Sequence, residues 1–155
     1  MRFFFSTSLE PPMNVELANW DEINVGDRAS HAKTITETDV VTFAGLSGDF
    51  NPLHVNEEFA KNTRFKRRVV HGCISAALIS AVLGMKLPGP GALYVSQTVN
   101  FRKPVFIGDT LTATAEVVEK FTKKDGTLKF LRIKTTVTNQ EEAVVTDGEA
   151  LVIVM

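Results

Sequence analysis

Two stretches of the chain alternate strictly between apolar and polar positions. Leu111, Ala113, Ala115 and Val117 are interleaved with Thr110, Thr112, Thr114 and Glu116. Leu131, Ile133 and Val137 are interleaved with Arg132, Lys134, Thr136 and Thr138. A period of two predicts half-buried antiparallel strands. Residues 93–101 and 143–154 read as two more strands, and Asp125-Gly126 as a hairpin turn. Between Gly72 and Met85 the pattern changes. Cys73, Ile74, Ala76, Ala77, Leu78, Ile79, Ala81, Val82 and Leu83 cover nearly every direction of a helix, and only Ser75 and Ser80 are polar. A helix apolar all round is expected to be buried all round. It would be roughly 20 Å long, too short to span a bilayer. Pro88, Gly89, Pro90 and Gly91 stop it.

Upstream, Gly26 and Asp27 mark a turn before a strand at 29–34. Thr36 and Asp39 match a capping box ahead of Val40, Val41, Phe43 and Ala44, and Gly45 and Gly48 end that short helix. A loop follows, and Asn56 caps another short helix with Glu57 and Glu58 in its first turn. No repeat, low-complexity block or linker divides the chain. The simplest assembly is α+β: a curved antiparallel sheet wrapped around one long buried helix, the hot-dog architecture. It is expected to occupy 14–155 as one domain. The opening residues 1–13 hold Arg2, three phenylalanines and three Ser/Thr before Glu10, Pro11 and Pro12. They read as a flexible tail or the remnant of a mitochondrial presequence. The expected compartment is the cytoplasm, with the mitochondrial matrix as the alternative.

Composition narrows the function. A chain of 155 residues can bury a sizeable core without disulfides. A net charge of −1 argues against a nucleic-acid binder. Cys73 is the lone cysteine, so neither an internal disulfide nor a cysteine-based zinc site is available. His31, His54 and His71 are not spaced as a metal set, and there is no HExxH or acidic calcium loop, so no metal is expected. No apolar run reaches the roughly 20 residues of a membrane span.

Candidate chemistry gathers in Gly48-Asp49-Phe50-Asn51-Pro52-Leu53-His54. A carboxylate and an imidazole lie five residues apart, and Pro52 forces Asn51 out of helical geometry, so the loop can bend and bring them together. Such a pair can hold one water and share proton transfers. On spacing alone, a turn-forming Asp49 and a partly buried, satisfied His54 are the default reading. Gly72 opens the buried helix, where unpaired N–H groups and a partial positive charge suit a developing oxyanion; it equally suits tight packing. His71 reads as a packing residue of the loop. Arg64, Lys66, Arg67 and Arg68 form a basic run that suits substrate phosphates or an acidic carrier protein, or simply solvent. Cys73 reads as a small apolar residue rather than a nucleophile. Ser80 needs a partner if buried, either Asp49 or a helix carbonyl one turn back. The eleven phenylalanines read as core.

Asp49-Phe50-Asn51-Pro52-Leu53-His54, Phe65, Val70-His71-Gly72, Leu87-Pro88-Gly89-Pro90-Gly91 and Phe101 together resemble the MaoC-like (R)-specific enoyl-CoA hydratases and 3-hydroxyacyl-thioester dehydratases. The resemblance runs from about Val25 to the C-terminus. It implies a hot-dog homodimer acting on acyl-CoA or acyl-carrier-protein thioesters without metal or cofactor. It implies Asp49 and His54 as the catalytic pair, the Gly72 N–H as donor to the thioester oxygen, and Ser80 and Asn51 as supporting residues. Two other functions stay open. Thioester hydrolysis would use one carboxylate to activate water, and a non-catalytic acyl-thioester-binding subunit would need neither group.

Overall fold

The computed structural model describes residues 15–155; the expected tail at 1–13 lies outside them. A short 3-10 turn, Trp20–Glu22, leads into strand β1, Arg28–Thr34. Helix α1, Glu37–Ser47, follows, then α2, Pro52–Val55, α3, Glu57–Lys61, and the long helix α4, Gly72–Met85. Four strands complete the chain: β2, Ala92–Phe101; β3, Thr110–Lys123; β4, Leu128–Thr138; and β5, Val144–Val154. They make one five-stranded sheet in the order β1-β3-β4-β5-β2, and every neighbouring pair is antiparallel. The α+β hot-dog architecture expected from the patterning is the observed one.

Local chemistry explains the element ends. The Thr36 side chain accepts from the Asp39 N–H and the Asp39 carboxylate accepts from the Thr36 N–H, so both halves of the capping box form. Gly48 ends α1 at a φ of 77°, the left-handed region that favours glycine. Asn56 Oδ1 caps α3 by accepting from the Phe59 N–H. The alternating residues of β3 and β4 turn Leu111, Ala113, Ala115, Val117, Leu131, Ile133 and Val137 onto α4, where Ile79, Val82 and Leu83 meet them. Each of the valine, leucine and isoleucine side chains, fully buried, contributes about 1.5–3 kcal/mol of transfer free energy.

Two expectations need correction. Helix α4 is not buried all round within the chain. Its buried side is Ile74, Ser75, Leu78, Ile79, Val82 and Leu83, while Cys73, Ala77, Ser80 and Gly84 form an exposed stripe of small residues. The composition is apolar in every direction, but one sheet of this curvature covers only one side. The described phenylalanines are also not the core. Among the described residues Phe130 is the one buried phenylalanine, and the interior is aliphatic. Flat aromatic rings lie instead at the edges of the helix–sheet sandwich, where Phe43, Phe65 and Phe101 border a cavity.

Candidate active site

The cavity, about 370 Å³, opens between the 48–56 segment and the first turn of α4. Asp49 and His54 line it from one side, and His71, Gly72, Cys73 and Ser75 from the other. The loop thus does bend as the Asn51-Pro52 step requires. Asn51 Oδ1 accepts from the Leu53 N–H, capping α2, and Pro52 takes the first helical position, where no N–H donor is needed. This single helical turn carries His54 back toward Asp49.

One donor or acceptor atom from each of Asp49, His54 and His71 lies within 4.8 Å of the others. His54 Nδ1 is 2.6 Å from the carbonyl oxygen of Val69. A carbonyl only accepts, so Nδ1 holds a proton, and in the neutral ring Nε2 is the nitrogen with the lone pair. Asp49 Oδ1 accepts from the Asn51 N–H at 3.2 Å, and the Asp49 N–H donates to Ser47 Oγ at 3.2 Å. The carboxylate is about half exposed, and Oδ2 lies 4.0 Å from His71 Nε2. His71 is buried beneath His54, with ring centroids 3.9 Å apart and planes at 31°, and its Nε2 sits 2.9 Å from the backbone oxygen of Asp49. Each imidazole has one nitrogen committed to a backbone carbonyl.

Gly72 stands at the first turn of α4, where helix N–H groups have no intrahelical acceptor. A Cβ there would lie 2.8 Å from Phe101 Cε1, so any larger residue must displace the end of that exposed ring. Behind it, Ser75 Oγ donates to the Gly72 carbonyl at 2.6 Å. With its one hydrogen spent, Ser75 accepts from Thr146 Oγ1 at 2.8 Å, which ties the turn to β5.

The other expected residues fall as follows. Ser80 is exposed, on the small-residue stripe, and makes no hydrogen bond to Asp49 within the chain. The buried helix serine is Ser75, five residues earlier and on the sheet-facing side. Arg68 is not available to a substrate: it pairs with Glu37 and, at 3.3 Å, with Glu57, and its hydrogen bonds hold the Glu37 carboxyl below the usual carboxylate range. Arg67 stacks over Phe106 at 3.7 Å, and Lys66 has a positive φ of 61° at an exposed turn. Of the basic run, Arg64 lines the cavity, where Arg102 and Lys103 join it. Those two, with Phe43, Ser75 and Thr146, escaped the sequence reading as site residues. The available signal was a threonine in register with Ala150, Val152 and Val154 on β5, and a serine three residues after Gly72.

This arrangement, a sheet wrapped on one helix with a carboxylate and an imidazole facing a helix N-terminus, is that of a thioester-handling hot-dog protein. A family profile described as MaoC like domain matches residues 22–143, and the chain belongs to that family. It is 51% identical over 135 residues to the (R)-specific enoyl-CoA hydratase of Rhodospirillum rubrum, covering 87% of this chain and 90% of that protein. It is 34% identical over 132 residues to the mitochondrial 3-hydroxyacyl-[acyl-carrier-protein] dehydratase of Arabidopsis thaliana, covering 84% and 77%. The solved structure of the unliganded R-hydratase PhaJ1 from Pseudomonas aeruginosa superposes with a TM-score of 0.82 at 41% identity, covering 89% of this chain and 86% of that one. The chain is a hydro-lyase of this hydratase and dehydratase group.

Proposed function

We propose that the protein interconverts trans-2-enoyl and (R)-3-hydroxyacyl thioesters in fatty-acid metabolism, with Asp49 and His54 as the catalytic pair. The observation that carries this reading is the placement of Asp49 and His54 within 4.8 Å of each other opposite the N-terminus of α4. Two hydrogen bonds of about 2.8 Å through one water span about 4.6 Å at a tetrahedral angle. The thioester carbonyl docks on the Gly72 N–H. A water held between Asp49 and His54 Nε2 attacks the β-carbon, and Nε2 takes its proton. The electron pair of the double bond moves onto the thioester oxygen, where the helix N-terminus meets the charge. The enolate then collapses as the pair returns a proton to the α-carbon, so that one water is added in total. Dehydration runs the same steps in reverse.

The test is chiral analysis of the product from crotonyl-CoA, octenoyl-CoA and a carrier-linked enoyl thioester, with free thiol measured in parallel. The (R)-3-hydroxyacyl product without thiol release supports the reading; an (S) product or thiol release overturns it. Arg64 and Lys103, which line the cavity, suit the phosphates of the coenzyme A or carrier-protein arm.

The working form is a homodimer. The β1 edge carries Arg28 and Lys33, charges that discourage pairing, whereas β2 leaves Leu93, Tyr94 and Val95 uncovered. The small-residue stripe of α4 offers a second close-contact surface, and Ser80 on it would support the site loop only across that interface. Sedimentation as a monomer at micromolar concentration would count against the dimer. No helix among the described residues is long and apolar enough to cross a membrane. The cytoplasm is the compartment that fits, and the mitochondrial name of the plant relative keeps the matrix as the alternative.

A further inference from the structure

His71 is buried, 2% exposed, and packed against two rings, with centroid distances of 3.9 Å to His54 and 4.9 Å to Phe43. Its Nε2 lies 2.9 Å from the carbonyl oxygen of Asp49. Its Nδ1 is buried with no hydrogen-bond partner. A carbonyl only accepts, so Nε2 must hold the proton. A second proton on Nδ1 would bury both a charge and a donor without an acceptor. The geometry therefore selects Nε2 as the nitrogen that carries the donated proton, the opposite of His54 stacked on it.

The three bonds on Asp49 differ in reach. The Ser47 hydroxyl and the Asn51 N–H hold it from within its own loop, each two residues away. His71 holds it from 22 residues away and stands immediately before Gly72, as the N-cap residue of α4. It offers α4 no side-chain cap of its own. The side chain at this position is thus turned from capping its own helix to gripping the loop.

We propose that His71 is a positioning residue. Through its Nε2–H bond it sets the separation between the carboxylate of Asp49 and the N–H of Gly72, and hence between the group that handles protons and the donor that receives the enolate oxygen. This rests on the reading of Asp49 and Gly72 given under Proposed function. A phenylalanine would stack on His54 and Phe43 equally well and avoid the unpartnered Nδ1. It would leave the Asp49 carbonyl unheld. The unsatisfied nitrogen is the cost of having a donor on the far side of the ring.

The experiment uses two variants and one spectrum. His71→Phe keeps the stack and removes the donor; His71→Gln keeps a donor at nearly the reach of Nε2 and removes the stack. A shift of about 1 Å in a reacting group costs on the order of 100-fold. His71→Phe should therefore lower kcat by roughly 10- to 100-fold with KM nearly unchanged and the thermal midpoint retained, and His71→Gln should recover most of kcat. Long-range ¹H–¹⁵N correlation spectra of the unaltered protein should show His71 neutral with its proton on Nε2, and His54 with its proton on Nδ1. Wild-type kcat in a folded His71→Phe, His71→Gln as impaired as His71→Phe, or an Nδ1–H signature for His71 overturns the proposal. The spectrum decides the matter even if a variant does not fold. Full activity in Asp49→Asn would instead overturn the site reading itself; loss in Asp49→Asn with none in His71→Phe overturns only this inference.

Discussion

One wall of the cavity is a loop with a single helical turn, and the other is the first turn of a long helix. Asp49 and His54 stand on the loop wall, partly open to solvent and held by short-range caps from Ser47 and Asn51. Gly72 stands on the helix wall, backed by the buried Ser75 and Thr146 and by the core beneath α4. The difference matches the chemistry proposed for each wall. Groups that exchange protons with water need access, and their side chains can be changed with little damage to the core. A backbone donor for an oxyanion must not reorganise as charge develops, so it belongs on the most rigid element available.

The largest effect should come from stripping the loop wall of its chemistry. Asp49→Asn keeps shape and removes the charge; His54→Gln removes the base. Each should reduce hydration of a trans-2-enoyl thioester by several orders of magnitude, with circular dichroism unchanged. If both act on one water, the double variant should be little worse than the poorer single, because groups that work as a unit are strongly non-additive. Rate losses that multiply would mean two independent roles. Steady-state kinetics on the four proteins decides between these.

A smaller loss, about 10²–10³ in rate, is expected from Gly72→Val, which touches the helix wall without adding or removing a charge. The new side chain must compete with the Phe101 ring, since even a Cβ would approach Cε1 to 2.8 Å. This allows a sharper question about why the donor is lost. If displacement of the ring is the cause, Gly72→Ala should be rescued in a Phe101→Ala background, measured against Phe101→Ala alone as a double-mutant cycle. If the added group shields the N–H itself, the cycle will show no rescue.

How much of this was legible follows the same division. The loop wall is written locally: a carboxylate, a proline and a histidine within six residues, and caps whose donors and acceptors are two or three positions apart. Thr36, Asp39 and Asn56 formed the caps expected of them for that reason. The strands were legible because alternation has one meaning when a single face is buried. The helix wall was harder. Gly72 was visible, but its neighbour Phe101 arrives from β2, and Thr146 from β5, 71 residues from Ser75. Ser75 and Ser80 look alike in a run of small apolar residues; only the angle at which α4 sits on the sheet makes one buried and the other exposed. Arg68 likewise looks like its basic neighbours until Glu37, 31 residues away, is folded against it.

The smallest expected effect concerns those two hydroxyls behind the helix wall. Ser75 donates to the Gly72 carbonyl and Thr146 donates to Ser75, so the two are ordered in a chain rather than equivalent. Ser75→Ala removes the grip on the Gly72 peptide and leaves a buried Thr146 hydroxyl without its partner. An unsatisfied buried group costs about 1–3 kcal/mol, so Ser75→Ala should lower stability by that order and kcat by roughly tenfold, the rate equivalent of about 1.4 kcal/mol. Thr146→Val removes only the outer donor. Ser75 still holds Gly72, its remaining lone pair loses one partner, and kcat should stay close to normal. Denaturant melts read beside kcat give the answer: an ordered chain predicts that the two variants separate in rate more than in stability. Equal rate losses would mean that β5, rather than Ser75, sets the position of the first turn of α4.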